Sequence, residues 1–174
     1  MRLPALLLLA SIPSALLPSP ALSGSLVMPT ARLDHVSSGF GPRSDGFHPG
    51  LDLAAPYGSP VRAAAAGVVV SAGWFGEYGK MIEVRSRNGM VARYGHLSVI
   101  NARVRVGRPV ASGQTIGAVG MTGYTTGPHL HFEVRLAGQL ADPARLLFAQ
   151  PKATASARPR TKLAQLHHTK SVRR

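Results

Sequence analysis

The chain has 174 residues and a formal charge of +13, from 20 Lys and Arg against 7 Asp and Glu. Its 45 % hydrophobic content fits one globular domain with appendages rather than a disordered chain. Cysteine is absent, which excludes a disulfide framework, a thiolate zinc finger, an iron–sulfur cluster and a cysteine nucleophile; any metal must be held by His, Asp or Glu.

Residues 1–23 carry a single charge, Arg2, before a leucine-rich run that ends in the small-x-small sequence Ala21-Leu22-Ser23. A basic start, an apolar centre and a small-residue exit describe a secretory signal peptide, so the protein is expected to be exported, periplasmic or extracellular. Pro4, Pro13, Pro18 and Pro20 break the apolar run, which falls short of the roughly 20 residues of a membrane span, and no transmembrane span is expected after signal removal. At the other end, residues 151–174 hold seven Lys/Arg and no acid, a composition that reads as a basic disordered tail. Setting aside Arg2 and those seven cations leaves +5 on residues 24–150, the expected folded domain. The tail suits anionic envelope polymers through salt-sensitive attraction. Nucleic acid is not an expected partner, because no recognition helix or aromatic stacking motif accompanies the charge.

Within residues 24–150 the pattern is strands joined by glycine turns. Val68-Val69-Val70 reads as a short buried strand after Gly67. Lys80–Ser86 alternates, Asn88-Gly89 is a hairpin turn, and Met90–His96 is the returning strand, with His96 at its end. Valines from Val104 onward are punctuated by glycines at 107, 113, 117 and 120. The only helical signal falls around residues 143–149. The fold class is therefore all-β, mainly antiparallel, with glycine-rich hairpins and loops. Gly73, Gly76, Gly79 and the stretch Gly120 to Gly127 are expected to let loops approach an extended peptide in a groove open at both ends.

The segment 129–136 is the most informative. Side chains of a strand alternate between faces, so His129, His131, Glu133 and Arg135 share one face while Leu130, Phe132, Val134 and Leu136 face a core. Two imidazoles thus point the same way from a rigid platform. His48 and Asp52 lie in Phe-His-Pro-Gly-Leu-Asp-Leu, where Pro49 and Gly50 disfavour helix and a turn into a strand brings the pair together. His96 stands in Tyr-Gly-His-Leu-Ser. A catalytic zinc without thiolates needs three imidazole or carboxylate ligands and leaves one position for water. Two His and one Asp meet that need, and two further histidines remain for proton handling and for the oxyanion. His35 reads as structural, and His167 and His168 fall in the tail.

Taken in order, F-H-P-G-L-D-L-A-A-P-Y-G-S-P-V, A-A-G-V-V, Y-G-H-L-S, V-G-R-P-V-A-S-G-Q-T-I-G-A-V-G-M-T-G and T-G-P-H-L-H-F-E-V-R resemble the lysostaphin/LytM-type zinc endopeptidases of bacterial cell walls over residues 36–145. The resemblance implies a barrel-sandwich-like peptidase domain. It implies a zinc ion held by His48, Asp52 and His131, with a zinc-bound water as nucleophile and His96 and His129 as the two catalytic histidines that are not ligands. The substrate it implies is the peptide of peptidoglycan, cut at a cross-link or bridge. Some relatives have lost ligands and only activate another wall hydrolase; such a non-catalytic envelope module is the alternative, and all five positions being intact argues against it. Ligand imidazoles must be neutral, so activity is expected to fall below about pH 5–6.

Overall fold

A computed structural model of the chain describes residues 26–44 and 46–148. The signal-peptide and tail assignments, with His167 and His168, lie outside the described residues. The chain opens with β1 (His35–Ser38) and a small hairpin of β2 (Gly41–Arg43) and β3 (Gly46–His48), then β4 (Leu51–Ala54) and β5 (Pro60–Arg62). Next come β6 (Gly67–Trp74), a single 3-10 turn at Gly76–Tyr78, β7 (Lys80–Arg85) and β8 (Val91–Ile100). The domain is completed by β9 (Pro109–Val110), β10 (Thr115–Val119), β11 (His129–Leu136), β12 (Gln139–Ala141) and α1 (Pro143–Leu147). Asp142 caps α1 by accepting from Ala144 N–H, with Pro143 in its first turn.

Ten strands form one sheet in the order β1-β4-β11-β8-β7-β6-β9, with β10 joining β5 to β8 and β12 flanking β11. Every ladder is antiparallel, as the alternating segments predict. One face buries Leu51, Leu53, Tyr94, Leu130, Phe132 and Val134, and the Tyr94 and Phe132 rings meet at 5.4 Å between centroids. The Tyr94 hydroxyl accepts the Ala64 N–H at 2.8 Å, so its one polar atom is not left unpaired in the core.

Two expectations need correction. Val68-Val69-Val70 is not buried throughout: Val69 is fully buried, whereas Val68 is 43 % exposed, because β6 is half-covered and alternates. His96 does not end its strand; β8 runs on to Ile100. The register explains how. Ile82 pairs with Tyr94 and Lys80 with Leu97, so β8 carries one extra residue there, a β-bulge. His96 takes φ 58°, a left-handed backbone rarely adopted by a residue with a Cβ. Strict alternation from Ala92 and Tyr94 would aim His96 into the core. The bulge turns it to the opposite face and hands the core position to Leu97.

Two of the loop glycines permit close backbone packing beside the site. A Cβ on Gly79 would stand 2.3 Å from the Thr122 carbonyl carbon, and one on Gly123 would stand 2.2 Å from the Glu77 carbonyl oxygen. These glycines let the 76–79 turn and the 120–127 loop pack backbone to backbone. Together the two loops form one wall of a groove.

Candidate metal centre

Three neighbouring strands assemble the site by register. Asp52 on β4 pairs with His131 on β11, which pairs on its other side with Gly95 on β8, next to the bulge that presents His96. His48 arrives from β3 across the Pro49-Gly50 turn. The structure therefore brings together the five residues singled out from the sequence, while His35 sits exposed on β1.

His48 Nε2 lies 3.1 Å from Asp52 Oδ1 and 3.2 Å from His131 Nδ1, and His131 Nδ1 lies 2.8 Å from Asp52 Oδ1. Their outer hydrogen bonds define which ring atoms carry protons. His48 Nδ1–H donates to the Gly39 carbonyl at 2.6 Å, and a carbonyl only accepts, so Nε2 of the neutral ring presents a lone pair. His131 stands between two carboxylates, with Glu133 Oε1 3.2 Å from Nε2 and Asp52 Oδ1 2.8 Å from Nδ1, so Nδ1 is an inward lone pair when the ring proton sits on Nε2. Two imidazole lone pairs and a carboxylate oxygen thus converge. Mutual repulsion makes that arrangement costly unless a proton or a cation sits among them. This donor set fits a divalent ion with imidazole and carboxylate preferences.

The titration of these groups in the absence of a cation follows the same geometry. Burial would raise Asp52, but hydrogen bonding to His131 and the charges of His131, His48 and His129 outweigh it and hold the carboxyl at about 2, against 3.8 ordinarily. Burial would lower His131, but hydrogen bonds to Asp52 and Glu133 raise it.

The two remaining histidines flank this group. His96 Nδ1–H donates to the Thr122 carbonyl at 2.9 Å, and His129 Nδ1–H to the Gly127 carbonyl at 2.9 Å. Each therefore keeps Nε2 as its free nitrogen, and His129 Nε2 lies 3.6 Å from Asp52 Oδ1. The His96 and His129 rings meet edge to face at 4.8 Å between centroids. Burial pushes His96 below the usual imidazole range.

All five side chains line a groove of about 430 Å³, with Arg43 and Phe47 on one wall and Glu77, Tyr78 and Tyr124 on the other. Phe47 and Tyr124 are 54 % and 81 % exposed, so the walls offer bare aromatic surface to a ligand.

Several contributors escaped the sequence reading. Arg43 holds the outer oxygen of Asp52 at 3.3 Å and also bonds Ser38 Oγ. Thr122 accepts from His96 through its carbonyl while its hydroxyl accepts Lys80 N–H and donates to the Leu97 carbonyl. Tyr78 donates to Glu133 at 2.7 Å. Of these partners only Glu133 had a legible signal, its shared face with His131; the others come from loops or from strands distant in sequence.

The comparisons give the family of this β-sheet domain and its His-Asp-His group. The profile of peptidase family M23 matches residues 46–143, and the chain belongs to that family. It is 43 % identical over 108 residues to the DD-carboxypeptidase/endopeptidase Mpg of Neisseria meningitidis, covering 62 % of this chain and 24 % of that protein. The chain thus spans about a quarter of the length of that relative. Among solved structures it resembles the catalytic domain of the antimicrobial peptidase lysostaphin from Staphylococcus simulans, with a TM-score of 0.61 and 36 % identity over 66 % of this chain and 92 % of that one. It also resembles a zinc-containing peptidase from Vibrio cholerae, with a TM-score of 0.58 and 34 % identity over 62 % of this chain and 35 % of that one.

Proposed function

We propose that this protein is a zinc-dependent endopeptidase that hydrolyses peptide cross-links or bridges of bacterial peptidoglycan after export to the envelope. His48, Asp52 and His131 are the zinc ligands of this reading, and His96 and His129 carry the protons. The observation that carries it is the convergence of three ligand atoms at 2.8–3.2 Å beside two imidazoles with free Nε2 atoms, inside an open groove. Zinc at this position supplies Lewis acidity to water and to the scissile carbonyl.

The chain's own groups account for the rest. A neutral imidazole whose Nδ1–H is committed to a carbonyl has only Nε2 with which to take a proton from the attacking water. Having taken it, the same Nε2–H can donate to the leaving amine. Either histidine binds an oxyanion only when protonated at Nε2, so base and oxyanion donor differ in protonation state at the start of the reaction. The aromatic walls at Phe47 and Tyr124 suit an extended peptide.

Mass spectrometry of purified peptidoglycan digested with the zinc-loaded protein, with and without chelator, tests this. Cross-linked species should disappear, new amine and carboxyl termini should identify the bond, and chelator should stop both. A wall preparation left intact by the zinc-loaded protein would overturn the proposal.

A further inference from the structure

Glu133 is fully buried, with 0 % exposure, on the same strand face as His131. Register places it in a row of alternating charge: Glu83 on β7 pairs with Arg93 on β8, and Arg93 pairs with Glu133 on β11. Arg93 donates from Nε and Nη2 to Glu83 Oε1 at 2.9 and 2.7 Å, and from Nη1 to Glu133 Oε1 at 3.3 Å. Arg135 Nη1 lies 2.9 Å from Glu133 Oε2, an ion-pair contact without hydrogen-bond alignment. Two arginines thus neutralise a carboxylate under the groove floor. A buried ion pair is an expensive way to fill a sheet, and an apolar residue of similar volume would often serve stability as well or better. What the carboxylate does that an apolar residue cannot is accept hydrogen bonds, and it accepts two that matter: Nε2–H of His131 at 3.2 Å and the Tyr78 hydroxyl at 2.7 Å.

We propose that Glu133 is a positioning residue that fixes the tautomer of His131, holding its proton on Nε2 so that the Nδ1 lone pair is the atom offered to the metal. This rests on His131 being a ligand. Asp52 cannot enforce that tautomer by itself, since its carboxylate would draw a proton onto Nδ1, the wrong nitrogen for a ligand. Glu133 supplies the opposing acceptor. Through Tyr78, which lies under the Arg93 guanidinium at 4.5 Å, the same carboxylate ties one groove wall to the ligand. Carboxylate partners of this kind govern metal affinity as well as orientation.

Glu133→Gln keeps the volume but reverses the logic. Its amide NH2 would face two arginine donors unless the amide turns, and turning aims a donor at His131 Nε2 and favours the proton on Nδ1. Zinc affinity, read by competition with a chromogenic chelator, should fall about 10- to 100-fold in this variant. Glu83→Gln perturbs the same charge row without touching His131 and should leave affinity unchanged. The imidazole tautomer, read in metal-free protein by 15N–1H correlation at alkaline pH, should show the His131 proton on Nε2 in the wild type. Unchanged affinity in Glu133→Gln, or equal loss in Glu83→Gln, would overturn the inference while leaving the metal site standing. A wild-type protein that binds no zinc would remove the proposed function. The tautomer then decides this inference alone, as it does if the variant fails to fold: a proton on Nε2 supports it, and one on Nδ1 overturns it.

Discussion

Each of the four histidines at the site offers a ring nitrogen chosen by a neighbour. His48 and His131 present opposite ring nitrogens because the acceptors behind them, the Gly39 carbonyl and Glu133, lie on opposite ring atoms. His96 and His129 instead commit Nδ1 to backbone carbonyls and keep Nε2. Replacing either His96 or His129 by alanine should therefore cut wall hydrolysis about 10²- to 10⁴-fold while zinc content stays at the wild-type level. His131→Ala should lose metal and activity together. Metal analysis alongside release of wall peptides separates the two patterns; zinc lost from His129→Ala would instead make that residue a ligand.

At the scale of elements, the site depends on two local irregularities. One is the bulge in β8. The other is the Pro49-Gly50 turn, where a Cβ on Gly50 would stand 2.7 Å from both His131 Cε1 and the Phe132 carbonyl oxygen. Gly50→Ala should push the His131 ring out of line and weaken zinc binding. It should also cost about 1–3 kcal/mol of stability from overpacking, measurable by chelator competition and by denaturant unfolding. Retained affinity would show that β4 and β11 can separate to accept the methyl group. The 129–136 alternation was readable because burial of one strand face imposes a period of two on the sequence. The bulge was not, because it is defined by pairing with β7 and β10, and a one-residue offset leaves no local mark.

For the whole molecule, the core and the charge distribution make separate predictions. Tyr94 is buried, and burial raises its phenol above the usual 10.0, against a small opposing effect of the Ala64 N–H. The unfolded chain then ionises first, so stability is full below pH 10 and declines as pH rises above it. Tyr94→Phe should make that alkaline loss shallower in thermal melts. At neutral pH it should destabilise the fold by about 1–3 kcal/mol, by stranding the Ala64 N–H. An unchanged alkaline limb would mean that some other group controls it. The seven cations of residues 151–174 predict that deleting them lowers wall binding at low salt, an effect that disappears as salt is raised. Equal binding with and without that segment would leave it no role in targeting.

The amino-acid sequence by itself determined the strand class, the absence of thiolate chemistry and the family resemblance carried by the motifs at His48, Asp52, His96, His129 and His131. These are properties of local order: periodicity, turn residues and short spacings. Only the tertiary structure decided that His96 leaves the core side of its strand, that the loop glycines join two loops, and which nitrogen each histidine offers. Those outcomes depend on strand register and on hydrogen-bond acceptors such as the Thr122 carbonyl, 26 residues from His96 along the chain, and such pairings have no periodicity to read.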